Sequence, residues 1–416
     1  MAIPNNLSDA ADAAVLLTGV TGFLGRELLY QLLTETRADL ICLVRAHDEA
    51  AAQARLRTVA EELFGAEGWN QARRRVHAVR GDVIRSRLGL DRRTHSQLVR
   101  RITHVLHGAA SVRFDMSITD ARRINARGAI AIVDFAHAAH EHGRLRRLGY
   151  ISTAFVGGSH PDRFGEDDLD VGQKFRNSYE QSKFEAELVM HAHMRNLPIT
   201  VLRPSIIVGH SQSGATSAFN VIYWPLRVFA DGMLRYAPAP PTLPVDVVPV
   251  DFVARGVIEA LFNGEAGSTY ALAAGEAATS AGAIGDIAAR VFDVSPPHFI
   301  SGPWLRVLLP AVNPILRLGP WRRFGNAARQ YLPYFGQGSR FDTRHADALL
   351  RPRGVEPPPA SQVLVPVLEF AKSTDFGRNR KAIAAQERAL RSQRQRALTR
   401  ASTGRQPRAR RPVTVG

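Results

Sequence analysis

Residues 15–25 read Val15-Leu16-Leu17-Thr18-Gly19-Val20-Thr21-Gly22-Phe23-Leu24-Gly25, an aliphatic run that breaks into three glycines and passes at once into the helical Arg26-Glu27-Leu28-Leu29. Strand, glycine turn and helix in this order build an anion cradle. Glycine is required where the chain turns tightly, where a pyrophosphate must reach the backbone, and where the helix must pack close with its N-terminal amides facing the anion. The stretch predicts a dinucleotide held by Gly19, Thr21, Gly22, Phe23, Leu24 and Gly25.

Outward from this turn, short aliphatic runs at 40–44, 76–79, 104–107, 147–151 and 199–202 alternate with helical stretches at 26–33, 49–64, 121–140 and 179–194. Such alternation predicts an α/β fold, a Rossmann-type doubly wound parallel sheet with helices on both faces. After Gly209 the regularity falls, and a segment rich in proline and aromatics from Phe219 to Pro244 reads as a substrate side. Three regions are expected: a dinucleotide-binding α/β domain over 13–275, a smaller helical, substrate-side region over 276–376, and a basic, largely disordered tail over 377–416.

Composition narrows the setting. With 416 residues and 45% hydrophobic side chains, the chain can bury a large core. Its one cysteine, Cys42, lies in an apolar run and reads as a buried thiol, consistent with a reducing cytoplasm. Acidic Asp9 and Asp12 precede the first apolar run, so no signal peptide is expected. No run reaches the roughly 18 apolar residues that a membrane-spanning helix needs. Twelve Lys or Arg against the single Glu387 after residue 376 give +11 of the chain's +16, which leaves +5 for the remainder. A nearly balanced body does not suggest specific nucleic-acid binding. Peripheral membrane contact, if any, is expected from the basic tail or from residues 303–334, where aromatics and leucines alternate with arginines.

At the exit of the second strand stands Arg45, with no acid to bind a ribose 2′-hydroxyl, so NADPH is expected over NADH. A solvated arginine is the competing reading. Asp82 and Val83, after the third strand, can meet an adenine amino group and ring nitrogen, although a plain turn aspartate fits equally. Gly108, Ala109 and Ala110, after the fourth, let the backbone pass close to a flat cofactor or let helices pack.

Tyr179 and Lys183 are four apart in a helical stretch and project from one face. Upstream, Ser152 and Thr153 close the fifth strand, at the carboxyl edge where ligands bind in such sheets. The order of glycine turn, hydroxyl pair and Tyr/Lys helix, spanning residues 15–261, resembles an extended short-chain dehydrogenase/reductase. More narrowly it is similar to the fatty acyl-CoA reductases and thioester reductase domains of the male sterility type. The segments that carry this are His107-Gly108-Ala109-Ala110-Ser111-Val112-Arg113-Phe114-Asp115, Ile151-Ser152-Thr153-Ala154-Phe155-Val156, Tyr179-Glu180-Gln181-Ser182-Lys183, Arg203-Pro204-Ser205-Ile206-Ile207-Val208-Gly209 and Val248-Pro249-Val250-Asp251. Phe155 departs from the tyrosine those enzymes often carry.

The resemblance implies Tyr179 as proton donor, Lys183 as its electrostatic partner and a ribose ligand, Thr153 as the hydroxyl that orients the carbonyl, Asn125 as support for a water-linked proton path, and Pro204 as a cofactor contact. Ser152 is the second-ranked hydroxyl. An ammonium beside a tyrosine favours tyrosinate and lowers its ordinary value near 10. The implied reaction is NADPH-dependent reduction of an acyl thioester, on CoA or a carrier protein, to an aldehyde, with a further step to alcohol left open. Phe219, Trp224, Leu226 and Phe229 are expected to wall the acyl chain, each with ordinary core packing as the alternative. An epimerase or hydroxysteroid-type dehydrogenase, and a nucleotide-binding regulator without turnover, are the competing functions. No metal site is expected.

Overall fold

The computed structural model describes residues 12–219, 221–302, 334, 338 and 340–402. Seven parallel strands form its centre: β1 (Ala14–Thr18), β2 (Asp39–Val44), β3 (Val76–Arg80), β4 (His104–His107), β5 (Arg147–Ile151), β6 (Ile199–Pro204) and β7 (Thr269–Leu272). Their order is β7-β6-β5-β4-β1-β2-β3. The chain winds outward from β1 to β3, then returns past it to β4 and winds the other way. That reversal opens a crevice at the carboxyl ends of β1 and β4.

Successive side chains of a buried strand serve opposite faces, and both faces here are apolar. Val15, Leu17, Leu40, Cys42 and Val44 join one core, with α1 (Phe23–Glu35), α2 (Glu49–Ala72) and, later in the chain, the helix Val250–Asn263. Leu16, Ile41, Leu43, Val105 and Leu148 join the other, beneath α3 (Arg92–Arg101), α4 (Ile118–Glu141) and α5 (Ser178–His193). Cys42 is a buried free thiol pushed up to about 12 by burial. A third cluster joins α6 (Tyr223–Ala230), α8 (Ala281–Phe292) and α10 (Ala360–Ser373), with α7 being Val250–Asn263 and α9 the short Arg344–Leu350.

Further features lie beyond the sequence-based expectation. The strand β7 and the helix α3 were not anticipated; α3 is strongly polar, with Leu98 and Val99 as its buried residues. α2 continues past 64, bending at Gly65, whose φ of 77° is a left-handed value open to glycine. The largely disordered tail is corrected over part of its length, because α11 (Arg380–Ser402) is helical and lies along α1 and α2. Arg394 Nη2 bonds the buried Glu27 carboxylate at 3.1 Å and its guanidinium covers the Tyr30 ring, while Leu398 is 3% exposed. Basic composition alone hides this, since the stabilising acid and aromatic lie on α1. Residues 403–416, and all of 303–334 but Tyr334, lie outside the described residues. Among the described residues no helix is long and apolar enough to cross a membrane.

Arg394→Ala would leave the Glu27 carboxylate buried with Gln31, 3.0 Å away, as its remaining hydrogen-bond donor. We expect the unfolding free energy to fall by about 2 kcal/mol. Urea denaturation of the two proteins checks it, and equal midpoints would mean that α11 does not anchor there.

Candidate active site

The glycine turn is built by close approach of two backbones. Gly19 has φ +83°, and a Cβ there would lie 2.7 Å from the Gly108 carbonyl carbon and 2.8 Å from the Ala109 nitrogen. A Cβ on Gly25 would overlap the Gly19 carbonyl, so the helix can seat on the turn only with glycine there. α1 starts at Gly22 without a side-chain cap, which leaves its first-turn amides as the donors a pyrophosphate requires. Thr18 closes β1 opposite His107 on β4. Its Oγ1 accepts from the Gly108 and Ala109 amides at 3.2 and 3.1 Å and bonds His107 Nδ1 at 2.8 Å. This cradle fits a dinucleotide: Gly19, Thr21, Gly22, Phe23, Leu24 and Gly25 form one continuous turn, with Gly108, Ala109 and Ala110 beside it.

Arg45 is exposed just beyond β2, and its carbonyl accepts from Arg55, which brings a second guanidinium to that strand end. Asp82 Oδ1 accepts from the Ile84 amide at 3.2 Å, so one of its oxygens serves the turn. Val83 is buried against α4 near Gly128.

α5 carries the hydroxyl chemistry. Asn177 caps it, accepting from the Glu180 amide at 3.0 Å. Tyr179 faces Thr153, whose Oγ1 reaches the Pro204 carbonyl at 3.4 Å and accepts from the Phe155 amide at 3.3 Å. Thr153, Tyr179 and Pro204 thus meet at the ends of β5 and β6. Burial pushes Tyr179 up to about 12, with Thr153 opposing and Glu180 reinforcing the rise. The expected lowering by Lys183 is therefore corrected: Lys183 Nζ turns to the sheet, donating to Tyr150 Oη at 2.7 Å and the Ile151 carbonyl at 2.8 Å. Burial pulls Lys183 down to about 7, against the pull of Glu187.

The Asn125 side chain on α4 is fully engaged. Its Oδ1 accepts from the Ser111 amide at 2.8 Å, and its Nδ2 donates to the Ser111 carbonyl at 3.1 Å and Ser182 Oγ at 2.9 Å. Ser182 in turn donates to the Tyr179 carbonyl at 3.1 Å. With its side-chain amide committed and the residue 2% exposed, Asn125 fastens the 111 loop to α5. Ser152 donates to the buried carboxylate of Glu187, which ranks it behind Thr153 as a substrate hydroxyl.

Sequence reasoning assigned no role to Thr18, His107, Tyr150, Glu187 or Arg203. Arg203 Nη2 and Nε bond Glu187 Oε1 at 2.6 and 2.9 Å, and the same guanidinium donates to the Gly165 and Asp168 carbonyls at 2.9 and 2.6 Å. Burial opposes the Glu187 charge, but Arg203, His191 and Ser152 outweigh it and hold the carboxyl at about 2.

Beside Thr153 and Tyr179 opens an apolar cavity of about 180 Å³. Leu226 and Phe229 line it as expected; Phe219 and Trp224 do not, and Phe219 instead packs on Tyr223 and Phe370. Phe155, whose amide donates to Thr153 Oγ1, and Tyr334 also line the cavity. Phe114 stacks on both Tyr179 and Tyr334, with ring centroids 5.6 and 6.0 Å apart. The Tyr334 hydroxyl donates to Glu180 Oε1 at 2.6 Å. Among the described residues no cluster of His, Cys, Asp and Glu could hold a metal ion.

Because Glu187 is held below the ordinary 4.5, its stabilising contribution is present above about 4.5 and lost as the pH falls through about 2. Arg203→Met, which leaves the carboxylate buried without its cation, should cost about 3 kcal/mol at neutral pH and raise the pH of acid unfolding. Denaturation across pH in both proteins measures this; superimposable acid limbs would contradict it.

The geometry agrees with what the chain is similar to. The family model described as Male sterility protein matches residues 17–257. Glycine betaine reductase ATRR of Emericella nidulans is 35% identical over 265 residues, which is 61% of this chain and 20% of that protein. The terminal R domain from the myxalamid PKS-NRPS biosynthetic pathway superposes with a TM-score of 0.72 at 24% identity, covering 88% of this chain and 91% of that one. A thiolation-reductase di-domain from an archaeal non-ribosomal peptide synthetase gives 0.70 at 20% identity, covering 88% and 76%. These two establish the fold, and the chain spans a quarter or less of the length of the curated relatives it matches. With more than half its length matched by one family model, and with that family's glycine turn and Tyr/Lys helix in place, the chain belongs to the male sterility protein family of extended short-chain dehydrogenases/reductases, which are NAD(P)H-dependent oxidoreductases.

Proposed function

We propose that the chain reduces an acyl thioester, delivered on a carrier protein or CoA, to an aldehyde with NADPH. The observation that carries this is the meeting of Thr153 and Tyr179 on the carboxyl edge of the sheet that bears the dinucleotide turn, next to an apolar cavity lined in part by Phe155 and Tyr334. The names of the relatives support a thioester on a carrier, because one superposing protein joins a thiolation domain to its reductase.

Bound NADPH would supply the hydride. The glycine turn at 19–25 and the α1 amides would hold its pyrophosphate, Asp82 and Val83 its adenine end, and Gly108 to Ala110 its flat face. Arg45, joined by Arg55, would take the 2′-phosphate. Thr153 and Tyr179 would donate to the thioester carbonyl oxygen as negative charge grows on it. A phenol raised to about 12 is fully protonated at neutral pH, so Tyr179 meets this demand as an acid. Lys183 adds positive charge at the same strand end. Collapse of the hemithioacetal then releases thiol and aldehyde. The cavity lined by Leu226, Phe229 and Phe155 takes the apolar part of the acyl group.

Loss of NADPH absorbance with a panel of acyl-carrier and acyl-CoA thioesters, with the aldehyde trapped, tests the reading directly. Consumption coupled to aldehyde is expected, and none with any thioester would remove it. Tyr179→Phe should lower kcat about a thousandfold while sparing NADPH affinity. Arg45→Ala should raise KM for NADPH roughly tenfold and leave NADH unchanged, a loss of one phosphate contact; equal effects on both cofactors would reassign Arg45 to solvent.

A further inference from the structure

We infer that Tyr150 is a positioning residue for Lys183, fixing both the place and the charge of the lysine from the sheet side; the inference rests on the reading of Lys183 as part of the catalytic site. Tyr150 lies on β5 and is 1% exposed. Its hydroxyl accepts from Lys183 Nζ at 2.7 Å, and the same nitrogen lies 4.3 Å from the centre of its ring. The other neighbour of that ring is His107, stacked at 5.8 Å with an interplanar angle of 27°. His107 is itself tied to Thr18, which accepts the Gly108 and Ala109 amides beside the glycine turn.

A buried tyrosine at the end of a parallel strand packs as well if it is phenylalanine, so the hydroxyl needs a reason. The ammonium supplies it. Taken out of water, Lys183 must find acceptors or give up its proton. Two are at hand, the Ile151 carbonyl and Tyr150 Oη. The titratable or charged groups around the amine are Tyr150 on β5, His107 on β4, Tyr179 and Glu187 on α5, and Arg203 on β6, which is paired with Glu187. Burial drives His107 down to about 3, so it stands neutral beside the amine. Glu187 favours the ammonium, but half of its carboxylate is engaged by Arg203. Tyr150 is thus the side chain in hydrogen-bond contact with Nζ that stabilises its charged form.

The chain contains four lysines, Lys174, Lys183, Lys372 and Lys381, so protein labelled with lysine carrying 13C at Cε gives four resonances, with that of Lys183 identified by its loss in Lys183→Arg. In Tyr150→Phe the Lys183 titration midpoint should fall by about one pH unit, the size expected for losing one hydrogen bond to a charged group. The alkaline limb of kcat/KM should move down by the same amount, since the charged lysine is the competent form. A purely structural role would lower the melting temperature and leave both midpoints in place, and that result would overturn the inference. Should Tyr150→Phe fail to fold, the unmodified protein still decides: with Nζ 2.7 Å from the Tyr150 hydroxyl, the Lys183 Cε protons must give a nuclear Overhauser contact to the Tyr150 ring protons ortho to that hydroxyl, and its absence refutes the contact. Neither titration nor Overhauser contact needs turnover, so failure to reduce any thioester leaves this test intact.

Discussion

The junction of β1 and β4 sets the rest of the molecule. Two parallel strands whose continuations wind in opposite directions must part at their carboxyl ends, and here they part across one side chain, Thr18. Its hydroxyl gathers the Gly108 and Ala109 amides, and these lie so close to Gly19 that no Cβ fits between. The turn that would receive a pyrophosphate and the loop that would receive the nicotinamide end are therefore one rigid body. A change in either displaces both.

α5 is held against that body by buried polar contacts rather than by apolar packing alone. Asn125 ties it to the loop after β4, and Glu187 with Arg203 ties it to β6 and to the carbonyls of Gly165 and Asp168. A buried ion pair is a poor source of net stability against an apolar substitute. It is an effective source of geometry, because a carboxylate with several donors permits few helix positions. That constraint sets where Tyr179 stands relative to Thr153.

The sheet was legible because its strands are aliphatic on both faces and its glycine turn has a local steric cause; Gly19 and Gly25 could be read without knowing what they touch. Tyr179, Thr153 and Lys183 were legible through spacing and family resemblance. Tyr150, His107 and Thr18 were not, because their meaning depends on strand order: Thr18 and His107 lie 89 residues apart and become neighbours through the β1–β4 pairing. α11 escaped for the same reason, its basic face making sense only beside Glu27 and Tyr30. Phe219 and Trp224 were assigned to the acyl wall by composition, yet the helical turn that begins at Tyr223 directs Leu226 and Phe229 into the cavity.

The protonation states at the site follow from where each group's partners lie. A tyrosine paired with an ammonium becomes a base, suited to taking a proton from an alcohol. Here the ammonium is engaged by the sheet, and Tyr179, enclosed beside Thr153, keeps its proton up to about 12. In the proposed reduction an oxygen gains charge and must be given a proton, so an acid is the useful state. The separation of the two side chains, one facing Thr153 and the other facing Tyr150, leaves the phenol as an acid in the unliganded site. It also gives the lysine a different part in the site, because with a midpoint near 7 its charge at the strand end depends on the acceptors that β5 provides.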